Sequence, residues 1–185
     1  RDNTPAVVPD KDDYHLSTDL ADEAIRQIGE LNAMSPDRPF YLHFAPAAGH
    51  SPHQAPKEWI DRYSGAFDHG WDVERESVLA RQKQLGVVPE STVLPPSNPG
   101  VAAWDSLPEN ERKLYARMQE VYAGYLSHTD AQIGRVLDHL EQLGILDNTV
   151  VMLCSDNGAS AEGGPEGTVD DGFYSNALPQ TAEDG

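Results

Sequence analysis

The sequence predicts an α/β fold in which helices pack on a mostly parallel β-sheet. Two short apolar runs, residues 40–45 and 149–153, are rich in aromatic or β-branched side chains, a composition typical of strands. Helical periodicity precedes the first run and recurs before the second, and this alternation is typical of α/β domains. Because two strands cannot form a stable sheet by themselves, we expect the remaining strands to lie in sequence outside this chain.

Four helices are predicted from apolar residues at three- and four-residue steps and from signals at the helix ends. Ser17 or Thr18 is expected to cap the first helix, and the pattern Ser106-x-x-Glu109 predicts a capping box for a long helix that Gly144 ends. The predicted helices run from the first cap to about residue 34, from 57 to 63, from 72 to 85, and from the capping box to Gly144. The segment at 46–56, with three prolines, is expected to be a loop with a rigid path.

The chain is expected to be part of one domain, since 185 residues can enclose one hydrophobic core. Residues 1–16 are predicted as a loop and residues 17–158 as the α/β portion. Residues 159–185 are rich in Gly, Asp and Glu and are predicted to be a loop or a disordered tail. Neither end resembles a natural domain boundary, so we expect an interior piece of a longer protein.

Composition argues against several classes of partner. The 31 acidic residues outnumber 13 basic ones, giving a net charge of −18, and no basic patch suited to nucleic-acid phosphates is visible. No apolar run is long enough to predict a membrane span, and the sequence does not indicate a cellular compartment. The single cysteine, Cys154, excludes an intrachain disulfide and is expected to be a small buried apolar side chain.

Asp156 and Asn157 follow directly after the second predicted strand, where open α/β sheets usually bind ligands. A carboxylate beside an amide oxygen suits Ca²⁺, with Mg²⁺ as the alternative. The competing interpretation is a plain turn, because Asn-Gly tolerates positive φ and Asp side chains cap turns. The two residues are therefore candidate metal ligands.

His50 is the candidate catalytic residue because it lies in the loop after the first predicted strand. If the two strands are parallel, His50 and Asp156 share one edge of the sheet. A histidine there could donate a proton to a leaving group near neutral pH. The competing interpretation is a packed or solvated loop histidine. The chain has no Gly-x-Ser-x-Gly elbow, phosphate-binding Gly-rich loop or His-Glu-x-x-His motif, so it offers no credible nucleophile.

An ordered set of motifs resembles type I sulfatases, specifically the bacterial arylsulfatases, and covers most of residues 14–165. The matching segments are Pro39–Pro46, Gly49–Pro56, Trp59–Asp72, Tyr122–Tyr125 with Asp130, Gly134–Val136, Leu146–Thr149 and Ser155–Gly158. The resemblance implies an alkaline-phosphatase-like α/β sandwich, incomplete in this chain, that hydrolyses small-molecule sulfate esters. It also implies that residues 1–185 are part of one sulfatase catalytic domain.

The same resemblance implies specific roles for the candidate residues. Asp156 and Asn157 would be late ligands of a Ca²⁺ ion, and His50 would contact the sulfate ester oxygen and assist departure of the leaving group. The family's nucleophile is a formylglycine made from a Cys/Ser-x-Pro-x-Arg motif, which this sequence does not contain. The chain is therefore expected to be inactive alone, with its nucleophile in N-terminal sequence outside it.

Two alternatives remain open from the sequence. The first is a phosphodiesterase or phosphonate hydrolase of the same superfamily, which would share the metal-bearing strand end but use Thr or Ser as nucleophile. The second is a non-catalytic fragment that binds Ca²⁺ or acts as a scaffold.

Overall fold

The computed structural model describes residues 7, 10, 11, 13–155, 163–165 and 167–169. The α-helices of this part are α1 (Leu16–Met34), α2 (Lys57–Ile60), α3 (Gly70–Gln84) and α4 (Glu109–Gln142). Short 3₁₀ turns lie at Asp61–Tyr63, Trp104–Ser106 and Leu146–Asn148. The four predicted helices are thus confirmed, with ends shifted by a few residues. None of these helices combines the length and apolar character needed to cross a membrane.

Both predicted N-terminal caps are wrong. α1 begins after His15, whose Nδ1 accepts a hydrogen bond from the Ser17 N–H at 3.2 Å, so Ser17 lies inside the helix. α4 begins after Pro108 and has no side-chain cap. Ser106 belongs to a 3₁₀ turn instead, because its hydroxyl donates to the Ala103 carbonyl at 2.6 Å.

The main core forms between α1 and α4. Its buried members are Ala21, Ala24 and Ile28 of α1 and Val136 and Leu140 of α4. The short side chains of the two alanines on this face of α1 allow the helices to approach closely. This helix pair is the support on which the candidate site rests.

Residues 40–45 pack against this core with an alternating pattern. Phe40, Leu42 and Phe44 are half-buried and contact the core, whereas the intervening Tyr41 and His43 are exposed. A period of two is the pattern of a β-strand with one covered face. The described residues contain no β-ladder, so the α/β sandwich with its parallel sheet stays a prediction.

The predicted burial of residues 149–153 is not seen in the described part of the chain. Val150, Met152 and Leu153 are more than 80% exposed and Val151 is 54% exposed. Cys154, expected to be buried, is exposed as well. The physical reason is that no described segment packs over these side chains.

α2 crosses α4 at Gly124, where the two backbones come very close. A Cβ atom at Gly124 would lie 2.8 Å from the Ile60 Cα, which is too close for any other residue without movement. Trp59 of α2 then reaches the buried His128 of α4, with ring centroids 5.5 Å apart. Glycine at this position therefore allows the second half of α2 to lie directly against α4.

A second cluster, formed by Trp71 and Trp104, joins α3 to the segment after it. The Trp71 and Trp104 rings meet edge to face with centroids 4.9 Å apart. The backbone N–H of Trp104 donates to the Asp72 carboxylate oxygen Oδ2 at 2.8 Å. Gly70, with φ of 76°, leaves space that the Trp104 ring fills, since a Cβ there would lie 2.1 Å from the ring.

Candidate active site

The loop at residues 46–56, which we call the histidine loop, connects the 40–45 segment to the start of α2 and contains His50. Its first half is a turn in which the His50 N–H donates to the Ala47 carbonyl at 3.1 Å. Gly49 has φ of 64°, in the left-handed region that favours glycine. The turn places His50 at the surface, where a substrate could reach it.

The His50 ring is oriented by its own backbone neighbour. Its Nδ1 lies 2.8 Å from the Ser51 carbonyl oxygen. A carbonyl oxygen can only accept, so Nδ1 donates and the neutral ring is the Nδ1–H tautomer. In this tautomer the proton of the neutral ring is on Nδ1 and Nε2 carries none.

The second half of the histidine loop is anchored on α4 through aromatic contacts. The His53 ring meets Tyr122 at 5.1 Å between centroids and the buried Tyr125 at 5.9 Å. Burial raises the pKa of Tyr125 above its usual value, so its hydroxyl stays protonated and neutral. The Tyr122 hydroxyl also lies close to the turn, 3.7 Å from where a Cβ of Gly49 would be.

A further anchor joins the histidine loop to α1 through Gln54. The backbone N–H of Gln54 donates to the Pro52 carbonyl at 3.0 Å. The backbone carbonyl of Gln54 accepts from His15 Nε2 at 2.8 Å. His15 also caps α1, as described above. The loop that holds His50 is thus attached to both helices of the main core.

Behind His15 lies a group of rings that meet edge to face. His15 and the buried His128 are 4.2 Å apart between centroids, Trp59 packs on His128, and the Arg62 guanidinium lies 3.6 Å from the centre of the Trp59 ring. Burial, and secondly the neighbouring His15, lowers the pKa of His128 to about 4. His128 is therefore a neutral structural group at physiological pH.

The predicted metal ligands Asp156 and Asn157 lie outside the described residues, so this pair stays a prediction. In the part of the chain that the structure describes, no group of three or more His, Cys, Asp or Glu side chains could hold a metal ion. The chemistry of the predicted pair fits Ca²⁺, since both supply oxygen ligands, but Ca²⁺ takes about six to eight ligands. Further ligands would have to come from elsewhere in the protein.

Sequence reasoning found His50 but missed the residues that support its loop. The predicted cap of α1 was Ser17 or Thr18 and not His15, since cap preferences favour Ser, Thr, Asp and Asn over His. The contacts from His15 to Gln54 and from His53 to Tyr122 join residues far apart in the chain. No periodicity or short motif encodes such contacts, so only the folded structure reveals them.

Comparison with known proteins shows that this chain is similar to sulfatases. The family model for sulfatases matches residues 1–184. An uncharacterized sulfatase of Schizosaccharomyces pombe is 40% identical over 137 residues, which are 74% of this chain and 25% of that protein. An arylsulfatase of Klebsiella aerogenes is 32% identical over 181 residues, 97% of this chain and 36% of that protein.

A ulvan-active sulfatase of Formosa agariphila is 31% identical over 126 residues, covering 66% of this chain and 18% of that protein. The chain therefore spans between about a fifth and about a third of the length of these relatives. These relatives include both an arylsulfatase and an ulvan-active sulfatase, so the similarity does not select one type of sulfate ester.

Proposed function

This chain belongs to the sulfatase family, and from that premise we propose that the complete protein hydrolyses small-molecule sulfate esters, with arylsulfates as the first class to test. The supporting observation is the state of His50. Its ring is held by the Ser51 carbonyl in the Nδ1–H tautomer, in an exposed loop that two helices support.

His50 acts in this proposal as the general acid for the leaving group. When the ring is protonated, its Nε2–H can pass to the ester oxygen as the bond from sulfur to that oxygen breaks. The ring then returns to the neutral Nδ1–H form that the Ser51 carbonyl already stabilises. A poor leaving group depends most on this proton, because its departing oxygen stabilises negative charge least well.

Asp156 and Asn157 would hold the Ca²⁺ ion, or Mg²⁺ in its place, through a carboxylate and an amide oxygen. The bound cation would polarise the sulfate group and stabilise negative charge that develops there. The nucleophile, a formylglycine by family resemblance, and the remaining ligands would come from sequence outside this chain. The alkaline-phosphatase-like sandwich is part of the same proposal, and the strand-like alternation at Phe40, Leu42 and Phe44 supports it.

The test uses the full-length protein and a series of aryl sulfates whose phenols differ in pKa. His50→Ala should lower kcat by about 10²–10³-fold for the poorest leaving groups and by less than about tenfold for the best. His69→Ala is the matched control, because His69 is also a partly exposed histidine but pairs with Glu74, outside the histidine loop. It should retain the wild-type rates.

Equal loss for good and poor leaving groups in His50→Ala would contradict the general-acid role. A phosphate diester or phosphonate ester hydrolysed faster than every sulfate ester would replace the sulfatase proposal with the related phosphodiesterase function. Absence of turnover of all these esters by the full-length protein would favour a non-catalytic metal-binding role.

A further inference from the structure

We propose that His15 is a positioning residue for catalysis, which holds the histidine loop so that His50 meets the substrate in one orientation. This inference rests on the proposed role of His50. Its structural basis is the pair of backbone contacts that His15 makes, one to the start of α1 and one to the loop.

The two ring nitrogens of His15 have opposite and fixed roles. Nδ1 lies 3.2 Å from the Ser17 N–H, which can only donate, and Nε2 lies 2.8 Å from the Gln54 carbonyl, which can only accept. Both contacts are satisfied together by the neutral Nε2–H tautomer alone. An N–H at Nδ1 would point at another N–H and break the cap of α1.

The bond to Gln54 acts on the backbone immediately after the catalytic turn. Gln54 is four residues after His50, and its N–H and C=O are both engaged, with Pro52 and His15 respectively. The adjacent His53 packs on Tyr122 of α4. Without the His15 bond, the second half of the loop would keep its contact with α4 but lose its contact with α1.

His15 is itself held in place from behind. Its ring packs against His128, which is 3% exposed, and His128 packs against Trp59 of α2. The donor at Nε2 is therefore presented from a packed site rather than from a mobile surface side chain. Such supported contacts set the position of a catalytic group to within a fraction of an ångström, and small displacements have large effects on rate.

Two substitutions in the full-length protein separate the two contacts of His15. In His15→Asn, the side-chain oxygen can replace Nδ1 as the cap, but the side chain is too short to reach Gln54. In His15→Gln, the amide N–H can replace Nε2 as the donor to Gln54, but the cap is lost. His15→Ala removes both contacts.

We expect His15→Asn to unfold at close to the wild-type temperature while kcat for poor leaving groups falls about tenfold. His15→Gln should unfold at a lower temperature but keep kcat within about threefold of the wild type. In a His50→Ala background, His15→Asn should cause no further loss, because the residue acts through His50.

A His15→Asn enzyme with wild-type kcat for poor leaving groups would overturn the proposal. So would an equal loss in the presence and absence of His50, which would show a purely structural effect. If His15→Asn does not fold, His15→Gln decides: retained kcat supports positioning, and a loss equal to that of His15→Ala contradicts it. Failure of the His50 role itself would appear separately, as an equal loss of kcat for good and poor leaving groups in His50→Ala.

Discussion

The buried imidazole of His128 links the stability of this fold to pH. Its pKa is lowered from 6.5 to about 4, first by burial and second by the neighbouring His15, while Glu58 opposes the shift more weakly. The Thr18 hydroxyl and the Gln132 amide lie 3.4 and 3.3 Å from its Nε2. Among the described residues its Nδ1 has no hydrogen-bond partner. The charged ring carries a proton on both nitrogens, so its Nδ1–H would be buried without an acceptor among these residues.

The folded protein should lose stability as the pH falls from about 6.5 towards 4. In that window the unfolded chain binds a proton at His128 that the folded chain does not, so protons favour unfolding. The wild type should lose about 1–2 kcal/mol more than His128→Gln between about pH 7.5 and about pH 5. Denaturant unfolding of both proteins at the two pH values measures this difference, and parallel losses would contradict it.

Single residues also show how far sequence alone can lead. His50 was identified because it follows an apolar run and lies in a motif shared with a family. His128 was missed because apolar periodicity assigns a polar residue to the surface, although this one is 3% exposed. Its burial depends on Trp59 and His15 reaching it from distant parts of the chain, which is a consequence of helix packing and not of local pattern.

At the scale of elements, the crossing of α2 and α4 positions the end of the histidine loop. α2 has four residues, so it has little helical stability of its own and relies on packing against α4. Gly124 permits that packing, since its missing side chain leaves space for the backbone of Trp59 and Ile60. The crossing is therefore sensitive to a single added carbon atom.

Gly124→Ala should destabilise the protein by about 1–3 kcal/mol, because the new Cβ would meet backbone atoms that cannot move independently. Gly134→Ala is the matched control on the same helix, with nothing within 4 Å of its Cβ position. It should be neutral or stabilising by up to about 1 kcal/mol, since alanine is the better helix former. Thermal or denaturant unfolding of both variants tests the crossing, and equal effects would contradict it.

The predicted helices were confirmed and the predicted strands were not, because the two kinds of element differ in where their hydrogen-bond partners lie. A helix satisfies its hydrogen bonds within its own segment, so the periodicity of α1 and α4 was sufficient to locate them. A strand needs a neighbouring strand. The segment at 40–45 has the alternating burial of a strand, and the run at 149–153 has strand composition, but the described residues provide no partner for either.

At the scale of the whole molecule, the described residues form a helical support for the candidate catalytic loop. Apolar side chains remain exposed at Tyr41 and along 150–153, although the chain carries a net charge of −18 and is otherwise rich in acidic residues. Exposed apolar runs of this kind often mark interaction surfaces. The predicted metal ligands in this sequence are Asp156 and Asn157.

The full-length protein should therefore gain thermal stability from Ca²⁺, and Asp156→Ala should abolish most of that gain together with activity. A ligand that binds only the folded state stabilises it by about 2.7 kcal/mol when its concentration is a hundred times its dissociation constant. Asp147→Ala is the matched control, because this acidic residue lies in the nearby 3₁₀ turn, outside the predicted ligand pair.

Melting temperatures with and without Ca²⁺, and metal content after dialysis, provide readouts that do not depend on turnover. Asn157→Ala should reduce the Ca²⁺ effect less than Asp156→Ala, since it removes a neutral ligand rather than a charged one. If Asp156→Ala binds and responds to Ca²⁺ as the wild type does, the residue is not a ligand. The competing interpretation of Asp156 and Asn157 as a plain turn would then be the correct one.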